Sequence, residues 1–166
     1  MSLKLNLGCG TSPIDGYVNI DHMPGPRVDL VHDITQGLPY EDATVDEIYI
    51  SHTLEHITEW EHLMPEFHRV LKSGGRLRII VPHAPNYYTG HVRQFYPYTL
   101  DGFIKDRYSA EDRRTLENIP LFEQVDRTIR RRFWFQWHIK HYLGIDIPFP
   151  CPIGRPYEIE WDLRKV

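Results

Sequence analysis

The sequence predicts an α/β fold, a mostly parallel sheet whose strand ends carry the functional residues. Three observations lead there. Leu3-Lys4-Leu5-Asn6-Leu7 is a short apolar strand that runs directly into Gly8-Cys9-Gly10, a turn in which glycine, having no Cβ, lets backbone come close to a ligand. Tyr17–Asp21 and Val28–Asp33 are two further short strands, each ending in an acid. Near the C-terminus Tyr157, Ile159, Trp161 and Leu163 alternate with Glu158, Glu160, Asp162 and Arg164, the period-2 pattern of a half-buried strand. Ligands of open α/β sheets sit just beyond the carboxyl ends of the strands, which is where these glycines and acids fall.

The link from the first strand to the second is short. Gly8 to Gly16 spans nine residues, whereas a parallel crossover with its helix takes about a dozen or more. The first helix therefore reduces to about one turn, Ser12-Pro13-Ile14-Asp15-Gly16, with Ser at the N-cap and Pro at the first helical position. A hairpin with the first two strands antiparallel is the alternative. Asp46–Ser51 and Arg76–Val81 read as the fourth and fifth strands. Between them Thr53 is placed to cap a helix with Glu55 in its first turn, at the positive end of the dipole. Pro65 divides that helix; its second piece presents Leu63, Phe67, Val70 and Leu71 on one face and stops at Gly74-Gly75. Beyond residue 82 aromatics and prolines concentrate, Thr99–Asp106 and Ser109–Asn118 read as helices, and Phe122–Phe135 contains a less regular strand.

Composition narrows the class. The chain has 166 residues, 41% of them apolar and 25% charged, with a net charge of −4, as expected of one soluble globular domain with a good core. The two cysteines, Cys9 and Cys151, give no disulfide framework, no apolar run approaches the roughly 18 residues of a membrane span, and the start MSLKLNL lacks a secretory h-region. A cytoplasmic location is expected.

The ordered set LNLGCG, the acid in NID, the acid in HDI, the block DEIYISHTLEHI and the segment RVLKSGGRLRIIVP covers about residues 3 to 82. Together they resemble a class I S-adenosylmethionine-dependent methyltransferase of the small methyltransferase-domain type. The resemblance implies a Rossmann-like seven-stranded, mostly parallel sheet with an antiparallel last strand, a single domain over 1–166, and a substrate cap formed by 83–155. It implies S-adenosyl-L-methionine as cofactor and a small-molecule or sugar-like acceptor methylated on O or N. Gly8-Cys9-Gly10 would approach the amino-acid part of the cofactor, Asp21 its ribose and Asp33 its adenine amino group, with Ile34 packed on the ring. Leu7, His22, Ser51 and His52 complete the expected cofactor site. Asn6 stands where the family more often has an acid. Taken singly, Asp21 and Asp33 also fit ordinary turn aspartates.

For a hydroxyl acceptor a general base helps, and His serves at neutral pH. The candidates are His83, after the fifth strand, and then His52, after the fourth. A non-catalytic binding protein is the alternative from another class. His52-x-x-Glu55-His56 also matches the H-x-x-E-H pattern of zinc hydrolases, in which two histidines share a helical face. His52, however, precedes the N-cap Thr53 and no third ligand is identifiable downstream, so no metal is expected. Arg130-Arg131-Arg132 before Phe133-Trp134 interleaves base and aromatic as nucleic-acid surfaces do, but in an acidic chain it reads as a solvated edge. Neither nucleic acid nor membrane is an expected partner, and the sequence does not specify an oligomeric state.

Overall fold

A computed structural model of the chain describes residues 2–105, 107, 121–132 and 155–166. Seven strands form one sheet in the order β3-β2-β1-β4-β5-β7-β6, with β1 Lys4–Leu7, β2 Val18–Asp21, β3 Leu30–Val31, β4 Val45–Ser51, β5 Leu71–Pro82, β6 Phe122–Arg132 and β7 Arg155–Lys165. Strands β1 to β5 pair in parallel. The last strand, β7, is antiparallel to both β5 and β6. The expected helix Ser109–Asn118, residues 133–135 of the expected strand and residues 106, 108–120 and 133–154 of the expected cap lie outside the described residues.

Register explains why the strands sit in this order. Ile20, Leu7, Ile50, Ile79 and Trp161 are cross-strand partners in one row, and Val18, Leu5, Ile48, Leu77 and Leu163 form the next. Apart from half-buried Val18, these side chains are fully removed from solvent. Each such burial contributes about 1.5–3 kcal/mol, so a slip of one residue in any strand would turn a whole set outward. The alternate positions carry polar side chains. Arg76 meets Asp162, and Arg78 and Arg130 meet Glu160. Strands of a parallel sheet buried on both faces read as continuous apolar runs; the alternation here marks one apolar and one charged face.

The apolar face is covered by α1, Leu63–Val70, which buries Leu63, Met64, Phe67 and Val70. Pro65 lies in its first turn, where a missing N–H leaves no intrahelical bond unmade. Upstream, the expected helix from Thr53 is replaced by two short 3-10 turns, Leu54–His56 and Trp60–His62. Thr53 does not cap them because its hydroxyl is turned back onto the carbonyl of Ser51, at 3.1 Å. The helix also ends before Gly74-Gly75. Leu71 is already extended and pairs with Val45, and the ladder resumes at Glu47 and Arg76, so 72–75 bulge out opposite Asp46. Lys72 Nζ closes the bulge on Asp46 Oδ1 at 2.8 Å.

The link after β1 is a turn with no helix. β1 and β2 are nevertheless parallel, which removes the hairpin alternative. Of the expected helix Thr99–Asp106, residues 99–105 contribute one 3-10 turn, Asp101–Phe103, in place of a longer helix, and Asp106 lies outside the described residues. Among the described residues no helix is long and apolar enough to cross a membrane.

Candidate functional site

The carboxyl ends of β1, β2, β3 and β4 meet in a cleft of 460 Å³, within the range of roughly 300–1,000 Å³ usual for small-molecule sites. Gly8 and Gly10 come from the turn after β1, Asp21 and His22 from the end of β2, and His32, Asp33, Ile34 and Thr35 from beyond β3. His52, Thr53, His56 and Ile57 follow β4.

The turn and the acid of β2 form one unit. The Gly10 N–H donates to Asp21 Oδ2 at 2.8 Å, and Asp21 Oδ1 accepts from Met23 N at 3.0 Å with His22 Nδ1 3.1 Å away. Both glycines have φ in the left-handed region, Gly8 at 66° and Gly10 at 48°, which side chains disfavour. They differ in what surrounds them. A Cβ on Gly8 would lie 2.2 Å from Thr53 Oγ1, so this glycine admits the strand-four segment; a Cβ on Gly10 would meet nothing within 4 Å, so this one leaves space open in the cleft.

Asp33 caps the turn Ile34–Gln36, its Oδ1 accepting from Thr35 N at 2.9 Å and Thr35 Oγ1 at 2.8 Å. These bonds hold its carboxyl below the usual range and keep it ionised. Ile34 is buried beside it. His32 Nε2 lies 2.6 Å from the Gly37 carbonyl, an arrangement that fixes the ring at the cleft wall.

His52 sits in a left-handed backbone conformation, φ 50°, rare for a residue with a side chain. Its Nε2 is 3.0 Å from Glu158 Oε1 and its Nδ1 is 3.4 Å from Glu55 Oε1. The two carboxylates raise its pKa to about 9, so at neutral pH it is an imidazolium. That charge is invisible from SHTLEHI because Glu158 arrives from β7. His83, the other candidate base, does not line the cleft. Its ring stands 6.4 Å from that of Tyr96 and its Nδ1 contacts the Ala84 carbonyl.

Of the expected cofactor residues, Gly8, Gly10, Asp21, His22, Asp33, Ile34 and His52 line the cleft, whereas Leu7, Cys9 and Ser51 do not. Leu7 is in the core, and Cys9 turns its sulfur inward, where burial and the Asp21 carboxylate push the thiol pKa up. Sequence reasoning passed over His32, Thr35, Thr53, His56 and Ile57 as wall residues. Their signal lies in the two blocks following strands three and four, from which the resemblance implies only Asp33, Ile34, Ser51 and His52 as cofactor residues.

Residues 5–79 match the family model described as a methyltransferase domain. Over these residues the chain is similar to methyltransferase domains, as the sequence resemblance implies. It is 28% identical over 126 residues to the demethylmenaquinone methyltransferase of Alkalihalophilus pseudofirmus, covering 71% of this chain and 53% of that protein. It is 31% identical over 71 residues to the ubiquinone/menaquinone biosynthesis C-methyltransferase of Campylobacter jejuni, covering 43% of this chain and 30% of that one. The chain thus spans about half or less of the length of these curated relatives. In fold it is similar to S-adenosylmethionine-dependent methyltransferases of Archaeoglobus fulgidus, with a TM-score of 0.63 at 15% identity, and of Thermotoga maritima, with 0.62 at 16%. The alignments cover 99% and 100% of this chain and 86% and 83% of those chains.

The likeness to methyltransferase domains indicates S-adenosylmethionine as the cofactor, and the cleft fits it. The space at Gly10 admits a ligand against bare backbone, Asp21 and Asp33 supply carboxylates, and Ile34 gives an apolar wall for a base. The turn after β1 departs from the resemblance in one respect. With no helix after the turn, no helix dipole faces the ligand.

Proposed function

We propose that this chain binds S-adenosylmethionine in the cleft and directs methyl transfer to a small-molecule acceptor entering past His52 and His56. The observation that carries the reading is the 2.8 Å bond from Gly10 N–H to Asp21 Oδ2, which assembles a glycine turn and a strand-end acid into one ligand-sized surface before any ligand arrives. Gly8 and Gly10 would hold the amino-acid part of the cofactor by backbone approach. Asp21 would take the ribose hydroxyls, Asp33 the adenine amino group through the oxygen not committed to Thr35, and Ile34 the face of the ring. When bound, the cofactor supplies an electrophilic methyl group on a cationic sulfur.

The chain's own contribution is then alignment and electrostatics. Asp21, Asp33, Glu55 and Glu158 outnumber the His52 imidazolium, and a surplus of carboxylates suits a cationic ligand. His52 does not act as a general base at neutral pH, because Glu158 and Glu55 keep its ring protonated. With both ring nitrogens turned to Glu158 and Glu55, its role is electrostatic, a fixed positive charge that attracts an oxygen of the acceptor at the cleft edge. Residues 83–155 would form the wall on the acceptor side. The receiving atom is an O or N; the relatives named for quinone C-methylation make a ring carbon the competing choice.

Calorimetry with S-adenosylhomocysteine tests the cofactor reading. Binding is expected, and Asp21→Asn, which removes the charge and leaves one oxygen where two now accept from Gly10 N and Met23 N, should weaken it at least about tenfold; a protein that binds neither S-adenosylhomocysteine nor S-adenosylmethionine overturns the reading. Transfer of isotope-labelled methyl to phenol, amine and naphthoquinone acceptors, with the product read by NMR, decides between O, N and C. Cofactor binding with no transfer to any of them would favour the non-catalytic binding protein.

A further inference from the structure

Behind His52 lies Glu55, whose Oε1 stands 3.4 Å from His52 Nδ1 and whose second oxygen has no charged partner among the described residues. Glu55 is 1% exposed, and among the described residues neither of its carboxylate oxygens accepts a hydrogen bond. A buried carboxylate is ordinarily paired, hydrogen-bonded or bound to a metal. Its near neighbours are histidines. His91 Nε2 lies 3.9 Å from Glu55 Oε1, with the His91 side chain 11% exposed, and His91 Nδ1 is also buried without a hydrogen-bond partner. The His56 and His91 rings stand edge to face, 5.0 Å apart. One ligand atom from each of Glu55, His56 and His91 falls within 4.8 Å of the others.

The backbone builds this arrangement. The N–H groups of Val92 and Arg93 both donate to the Glu55 carbonyl, at 2.9 and 3.1 Å, which docks the segment carrying His91 against the turn carrying Glu55 and His56. His56 Nδ1 lies 2.8 Å from the Gly90 carbonyl. Donation from that nitrogen leaves Nε2 with its lone pair free, the second-sphere arrangement found on most metal-ligating histidines.

We propose that Glu55, His56 and His91 bind one divalent transition-metal ion at the rim of the cleft, with zinc the ion that two imidazoles and one carboxylate suit. Ligand bonds of about 2.0–2.2 Å require the three groups to draw slightly closer, a side-chain adjustment about a fixed backbone. Three protein ligands leave a coordination position open. His56 lines the cleft, so that position would take an acceptor oxygen and favour its deprotonated form. This role rests on the proposed function; metal binding itself does not. The set differs from the H-x-x-E-H pattern of the sequence: His52 is not a ligand, and the third ligand comes from the segment after β5.

Tag-free protein, stripped with a chelator and titrated with zinc against a chromogenic competitor, tests the site. One zinc per chain is expected. Loss of second-sphere partners alone costs metal sites about 10–100-fold in affinity, so removing a first-sphere ligand in His56→Ala should weaken binding at least about 100-fold. His56 is exposed, so that variant should fold, which its circular dichroism checks; His62→Ala, outside the cluster, should bind as wild type does. Cobalt substitution should give visible absorption that His91→Ala abolishes. A wild-type chain that takes up no stoichiometric zinc, or a His56→Ala variant that binds it as tightly, overturns the proposal. S-adenosylhomocysteine calorimetry on the same samples keeps the two readings apart: binding without zinc removes the metal site alone, and zinc uptake without binding supports the site while removing the cofactor reading.

Discussion

The side-chain amide of Asn6 donates to Asn19 Oδ1 at 2.9 Å, joining β1 to β2 beneath the sheet's ligand edge. The same Asn19 oxygen accepts from Ile14 N at 2.7 Å, and Asn19 Nδ2 lies within 3.2 Å of the Ile14 carbonyl. Asn6 also donates to the Ser12 carbonyl at 3.2 Å. This buried pair does what a crossover helix would otherwise do, satisfying and fixing the link between the strands. It also accounts for Asn6 in place of an acid, since an ionised carboxylate has no hydrogen to donate.

Asn19→Ala should therefore destabilise the protein more than Asn6→Ala. The first removes the oxygen that accepts from both the Ile14 N–H and the Asn6 side-chain amide, while the Ile14 carbonyl keeps the Tyr17 N–H at 3.3 Å, and a polar group left unsatisfied away from water costs about 1–3 kcal/mol. Urea unfolding of the two variants measures the difference; equal losses would mean that Asn19 does not organise the link.

The two glycines of the turn should separate folding from binding. In Gly8→Ala the new methyl collides with Thr53 Oγ1 at 2.2 Å, so stability and ligand binding should both fall. Gly10→Ala meets no atom within 4 Å and carries only the left-handed backbone cost of about 1–2 kcal/mol, but its methyl occupies cleft space. It should stay folded and lose S-adenosylhomocysteine affinity at least tenfold, read by calorimetry beside thermal melting.

Arg69 fastens the loop between β3 and β4. Its guanidinium donates to Glu66, to Asp42 and to the carbonyls of Tyr40 and Leu38, while Glu66 Oε1 accepts from Leu38 N at 2.6 Å. Arg69→Ala should cost about 1–2 kcal/mol, at the lower end for charged hydrogen bonds because the side chain is a third exposed. Arg69→Lys should recover little, because an ammonium cannot reproduce the planar fork. Denaturant midpoints at low and high salt check both points.

His68 gives a pH dependence. Burial against Phe122, with Lys165 nearby, pushes its pKa below the ordinary 6.5. As pH falls the unfolded chain takes up this proton first. The contribution of neutral His68 is thus complete above about pH 6.5 and is lost as pH falls through the depressed folded value. Between pH 7.5 and 5.5 the wild type should lose more stability than His68→Phe; parallel profiles would contradict this.

The strands were legible in the sequence because their signal is local. Alternation in 157–163 and the apolar run before Gly8 describe which face each side chain must take, whatever else the chain does. The interval from Thr53 to Gly75 was less legible. Thr53 has the chemistry of a cap, but its hydroxyl turns back onto the Ser51 carbonyl, and Leu71 leaves the helix to pair with Val45; both outcomes depend on neighbours remote in sequence.

By itself the sequence determined the strands along the chain, the glycine turn, the two strand-end acids and hence the resemblance to methyltransferase domains, since spacing and residue type suffice for these. Tertiary structure alone decided what the histidines are. Glu158 on β7 turns His52 from a candidate base into a cation, and the docking of residues 90–93 on the Glu55 carbonyl brings His91 to Glu55 and His56. Charge and coordination depend on distance through space, and chain closure sets that distance.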